Sequence, residues 1–145
     1  MSPQLIAELK QFYAAHPELV GVAVTDQEIV DIQTQLNIRI DPIYQDFIQH
    51  FGGAYAGLSI HAIKNADSLG NETVIEMTRH AREMVREINP QHALMTSLVI
   101  SDDGAGNPIY IRTDAQVYII YHDDLTEKFL AENLEILIQE SFEAW

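Results

Sequence analysis

Ser59 and His61 stand two residues apart in the run Tyr55 to Ile63, where Leu58, Ile60 and Ala62 alternate with them. That alternation predicts a strand with Ser59 and His61 on one face. A hydroxyl and an imidazole sharing a face have the parts of a nucleophile and its base. They are also the ordinary polar face of a half-buried strand, and that is the reading taken here. Gly57-Leu58-Ser59 lacks the second glycine of a nucleophile elbow. No Gly-Lys-Ser/Thr phosphate loop occurs, and His80 and Glu83 do not have the zincin arrangement. The expectation is a chain without catalytic residues.

Carboxylates are the other chemically capable groups. Asp102, Asp103 and Asn107 surround Gly104 and Gly106, the residue types of a calcium loop. The spacing departs from the EF-hand pattern, and Thr113 stands where a bidentate glutamate belongs. Turn chemistry explains the run better, with Asp and Asn bonding their own backbone. His122-Asp123-Asp124 holds metal-ligand types, but Asp123 or Asp124 also serves as an N-cap for a terminal helix, and that reading is preferred. No metal or cofactor is expected. Arg79, Arg82 and Arg86 form a ridge beside a helical core stripe, with Glu72, Glu76, Glu83 and Glu87 on the adjoining face. An anion-binding ridge is one reading. A solvated face with pairs such as Arg79–Glu83 is the one preferred.

The whole surface leans acidic. Twenty-two Asp and Glu face eight Lys and Arg, a formal net charge of −14 in 145 residues. Such a field repels nucleic acid phosphates and favours basic partners. Asp102, Asp103, Asp114, Asp123 and Asp124 fall in loops between late strands, and Tyr110 and Tyr118 sit on adjacent strands. Exposed tyrosines beside carboxylates would form a protein-binding patch with aromatic anchors and charge steering. Strand periodicity leaves open which face is covered, so the two tyrosines face either partner or core. The chain has no cysteine, no basic-then-apolar leader and no apolar run of membrane-spanning length, which predicts a cytoplasmic protein with no membrane partner.

These groups are positioned by elements that the sequence punctuates clearly. Ser2-Pro3 starts a first helix with Leu5, Ile6, Leu9, Phe12 and Tyr13 as its stripe, and His16-Pro17 ends it. Leu19 to Val24 is either a strand or a buried linker. Thr25 and Glu28 have capping-box spacing before Ile29, Ile32 and Leu36, and Asn37 is a stop. Ile38-Arg39-Ile40 alternates like a short strand. Asp41-Pro42 opens a helix carrying Ile43, Phe47 and Phe51, closed by Gly52-Gly53. Asn65 to Asn71 reads as a loop. Glu72 to Ile88 reads as a long helix, with Val74, Met77, Ala81, Met84, Val85 and Ile88 on one face. Strands are predicted at Leu98–Ile100, Ile109–Thr113 and Val117–Tyr121, then a terminal helix from about Thr126 or Leu130 with Leu134, Leu137, Ile138 and Trp145 inward. The expected fold class is α+β in one domain over residues 1–145: a mostly antiparallel sheet of about four to six strands, packed with N-terminal helices, a long middle helix and a C-terminal helix.

The segment Glu28-Ile29, Leu36-Asn37-Ile38-Arg39-Ile40-Asp41-Pro42, Tyr44, Phe47 and Gly52-Gly53 resembles the SUKH superfamily, which includes yeast cell-wall-assembly regulators and many bacterial immunity proteins. Asp41 intervenes where the family often places its proline directly. Ile100 to Ile111, with its acidic glycine turn and Tyr110, is similar to a second family segment. Val117-Tyr118-Ile119-Ile120-Tyr121-His122 and a closing helix from Leu130-Ala131 to Ile138 are similar to the rest. The resemblance implies a non-enzymatic binding protein, foremost a bacterial immunity protein that blocks a cognate toxin domain. Many such toxins are nucleases, whose basic clefts suit an acidic inhibitor. The alternative is a regulatory or scaffolding module like the eukaryotic members. Monomer and homodimer both stay open, since a sheet edge offers a route to pairing.

Overall fold

Every α-helix among the described residues begins at a side-chain cap, and those caps set where the chain turns. The computed structural model describes residues 1–144. Among them, α1 spans Pro3–Ala15, with the Ser2 hydroxyl accepting from the Leu5 amide at 3.3 Å. A 3-10 turn at Pro17–Leu19 follows, and the stretch to Val24 is a linker that makes one bridge, Val22 to Lys64. Thr25 and Glu28 form a complete capping box on α2, Asp26–Leu36, and Asn37 closes it with φ 52°. Asp41 caps α3, Pro42–Phe51. Ile38 to Ile40 is an extended link and not a strand. Its backbone is engaged by a side chain instead, since the Ile40 amide donates to Gln33 Oε1 at 3.0 Å.

Gly52 and Gly53 stop α3 where three segments cross. Gly21 donates to the Phe51 carbonyl at 3.1 Å, Val22 to the Lys64 carbonyl at 3.1 Å, and Ala66 to the Gly53 carbonyl at 2.8 Å. Gly52 has φ 63°, and a Cβ there would lie 2.1 Å from the Val22 carbonyl oxygen. At Gly53 a Cβ would meet Asn65 Oδ1 at 2.0 Å. Only a residue without Cβ lets backbone approach backbone this closely.

The predicted Tyr55–Ile63 strand is instead a small hairpin, β1 (Ala54–Tyr55) and β2 (Ser59–Ile60). Gly57 turns it against the end of the last helix. His61 lies just past β2 and is not a solvated polar-face residue, although it borders the same cleft as Ser59. It is buried, its Nδ1 2.6 Å from the Glu72 carbonyl oxygen. The long helix α4 runs Val74–Arg86 from a second capping box, Thr73 with Glu76. Ile88 lies beyond its end and is 72% exposed, so it does not join the core stripe.

Four antiparallel strands follow in simple meander order: β3 (Leu98–Asp102), β4 (Pro108–Ile111), β5 (Val117–Ile120) and β6 (Glu127–Ala131). β6 corrects the sequence reading, which placed the terminal helix there. Helix α5 spans Leu134–Ser141 and is capped by Asn133, not by Asp123 or Asp124. Trp145 lies outside the described residues.

The sheet has two covered faces. Leu98, Ile100, Ile109, Ile111, Val117 and Ile119 pack with the apolar stripes of α1, α2, α3 and α5 in one cluster. Val99, Tyr110 and Ile120 pack on the other side with Met77, Ala81 and Val85 of α4 and with Leu94. The alternation along β4 and β5 assigns successive residues to opposite clusters, as the pleat requires. The fold is thus α+β, with a four-stranded and a two-stranded antiparallel sheet among the described residues.

Candidate functional site at the acidic end of the sheet

A meander sends alternate turns to opposite ends. The β3–β4 loop, with Asp102 and Asp103, and the β5–β6 loop, with Asp123 and Asp124, therefore share one end. Asp114, in the β4–β5 turn, sits at the other. A side-chain bridge ties the two acidic loops. Asn107 Oδ1 accepts from the His122 amide at 3.0 Å and lies 2.6 Å from His122 Nδ1.

Within each loop the carboxylates hold backbone. Asp102 accepts from the Gly104 amide at 2.6 Å, and Asp103 from Ala105 at 2.9 Å and from the Asn107 side chain at 2.8 Å. Asp124 accepts from the Thr126 amide at 2.9 Å. Asp123 meets His122 Nε2 at 3.1 Å and its side chain is otherwise in solvent. The Asn107 side chain, then the loop amides, hold the Asp103 carboxyl below the usual carboxylate range. The Thr126 backbone amide does the same for Asp124. Both charges thus persist into acid that would neutralise ordinary carboxylates. Among the described residues, no group of three or more His, Cys, Asp or Glu converges as a metal site.

The tyrosines divide. Tyr110 is fully buried, and its hydroxyl donates to the Glu127 carboxylate, so it is no surface anchor. Tyr118 is half-buried. The Arg112 guanidinium sits 3.6 Å over its ring, and Phe129 of the edge strand packs edge-on against it. Arg112 also donates to Glu127 at 2.9 Å, and His92 Nε2 lies 3.5 Å from the same carboxylate. Tyr118 therefore belongs to a packed cluster on the sheet face with Arg112 and Phe129.

The family model for SMI1-KNR4 cell-wall proteins, of the SUKH group, matches residues 4–143. The chain is a SUKH protein. The family is one of protein-interaction domains that includes toxin-immunity proteins and SMI1/KNR4-like regulators. No curated protein matches the chain. No described helix of this SUKH protein is long and apolar enough to cross a membrane.

Two arginines of the ridge make structural contacts in this SUKH domain. Arg79 donates to Gln35 at 3.2 Å and Arg82 to the Leu36 carbonyl at 2.8 Å, across to the C-terminus of α2. Those partners replace the expected Glu83. Burial, then Arg86 and Arg79, pull the Arg82 pKa down. Sequence reasoning missed Glu127 because it read β6 as helix. It also missed His61 as a buried group. A usable signal for β6 was Asn133, a strong N-cap directly before Leu134.

One prediction concerns the loop charge itself. Asn107→Ala is expected to raise the Asp103 titration midpoint toward the ordinary carboxylate range, since the largest stabiliser of its ionised form is removed. Because the folded-state pKa is depressed, its contribution is present above the unfolded value and lost as pH falls through the folded one. An NMR carboxyl titration reads this directly, and an unmoved midpoint contradicts the assigned cause.

Proposed function

We propose that this SUKH protein is a non-enzymatic binding protein that neutralises a basic toxin domain of nuclease type, as an immunity protein. The observation that carries the reading is the convergence of Asp102, Asp103, Asp123 and Asp124 at one sheet end, joined through Asn107 and His122. An acidic surface accelerates encounter with a basic cleft and orients the approach. The turn bonds supply a second support. Carboxylates already fixed by backbone amides lose little freedom on binding.

The description of the matching family model, SMI1-KNR4 cell-wall, favours a second reading, a regulatory or scaffolding module. One experiment separates the two. The gene is co-expressed with a toxin-like reading frame from its own neighbourhood. Rescue of growth with a stable complex is the expected result. Unabated killing with no complex removes the immunity reading and leaves the regulatory one.

A further inference from the structure

A cleft of about 610 Å³ opens beside the acidic end, between the β1–β2 hairpin, the 68–72 loop and the end of β3. Leu58, Leu69 and Ile109 give it apolar walls, and Glu72, Asp102 and Asp103 stand on its lining. Among the described residues, no Lys or Arg lines it.

His61 supplies an independent indication of what the cleft takes. The residue is only 7% exposed, yet it lines the cleft. Its Nδ1 lies 2.6 Å from the Glu72 carbonyl oxygen, which can only accept. Nδ1 therefore carries the proton, and in the neutral ring Nε2 presents a lone pair. Among the described residues, Nε2 has no hydrogen-bond partner. The 68–72 loop that frames the ring is itself fixed. Asn65 Nδ2 donates to the Gly70 carbonyl at 3.2 Å and the Glu72 carbonyl at 2.8 Å.

A lining of carboxylates, with no Lys or Arg to answer them and an unpartnered His61 Nε2 beside them, selects a ligand rich in donors. A guanidinium has five N–H donors and no acceptor, and its aliphatic stem suits apolar walls. We infer that this cleft receives an arginine side chain presented by the basic partner. The inference rests on the binding reading above and gives the partner's contact its chemistry. Diffuse charge on the loops serves encounter, whereas the cleft serves retention, because a desolvated arginine in a pocket slows release.

The test titrates the full chain with acetyl-Gly-Arg-Gly-amide and with its citrulline counterpart, which keeps the shape and lacks the charge. Amide NMR shifts at Ser59, Gly70 and Gly104 are expected to saturate with the arginine peptide, with citrulline about tenfold weaker or more. Asp102→Asn keeps the turn bond to Gly104 and is expected to weaken the arginine peptide about threefold or more. Equal binding of the two peptides, shifts confined to Asp123 and Asp124, or indifference to Asp102→Asn overturns the inference. The peptide result is independent of toxin rescue. A cleft indifferent to arginine leaves the immunity reading standing, and a failed rescue leaves the arginine preference measurable.

Discussion

Gly52→Ala is expected to destabilise the protein by about 2–6 kcal/mol, a large part of the roughly 5–15 kcal/mol typical of a folded domain. Two separate costs combine. Gly52 has φ 63° and ψ −149°, a region that is essentially glycine-only, and holding alanine there costs about 1–3 kcal/mol. The added Cβ would also lie 2.1 Å from the Val22 carbonyl oxygen and 2.6 Å from its nitrogen, both backbone atoms. Relief requires the 21–22 and 52–53 segments to part, which strains the Gly21–Phe51 and Val22–Lys64 hydrogen bonds. Overpacking of that kind costs about 1–3 kcal/mol more. Gly104→Ala serves as the comparison for a positive φ without a close neighbour, because φ there is 83° and nothing lies within 4 Å of the new carbon. Urea unfolding of both variants decides the matter. If Gly52→Ala unfolds at the same midpoint as Gly104→Ala, the crossing is not tight.

The second large effect is on association. Replacing Asp102, Asp103, Asp123 and Asp124 together by asparagine is expected to slow binding to the basic partner by about tenfold or more at low salt, and to flatten its salt dependence. Asparagine is chosen because its Oδ1 can still accept from the loop amides; at Asp103 the bond from the Asn107 side chain to the second oxygen is lost, so circular dichroism of the variant accompanies the rates. Asp114→Asn, in the turn at the far end of the sheet, is the position control. It leaves the acidic end intact and is expected to change the rate little. Stopped-flow rates over a salt series provide the measurement. An equal loss per charge from Asp114 would mean that net charge matters and the gathered end does not.

Local chemistry was readable wherever a side chain bonds its own neighbourhood. Thr25 with Glu28, Asp41-Pro42 and Gly52-Gly53 behave as their types and spacing dictate, because caps and stops are short-range. The strands β3 to β5 were readable from runs of Val, Ile and Tyr. β6 was not, because Glu127-Lys128-Phe129-Leu130-Ala131 has no clean period of either kind, and its pairing with β5 carries a register shift. That one error displaced the helix cap from Asn133 to the aspartates and hid Glu127. Which aspartates converge was legible only once the strand order was fixed, since the meander alone decides that Asp114 is left out. The burial of Tyr110 depended likewise on α4 covering the far face of the sheet, a tertiary fact that alternation within one strand does not carry.

The Asn107–His122 bridge has an evolutionary consequence. It separates the residues that build the acidic end from those free to change with a partner. Asp103 and Asn107 carry the loop geometry, whereas Ala105 and Asp123 are exposed and hold no backbone through their side chains. A lineage following a drifting partner can substitute at these two positions while the scaffold beneath them stays folded.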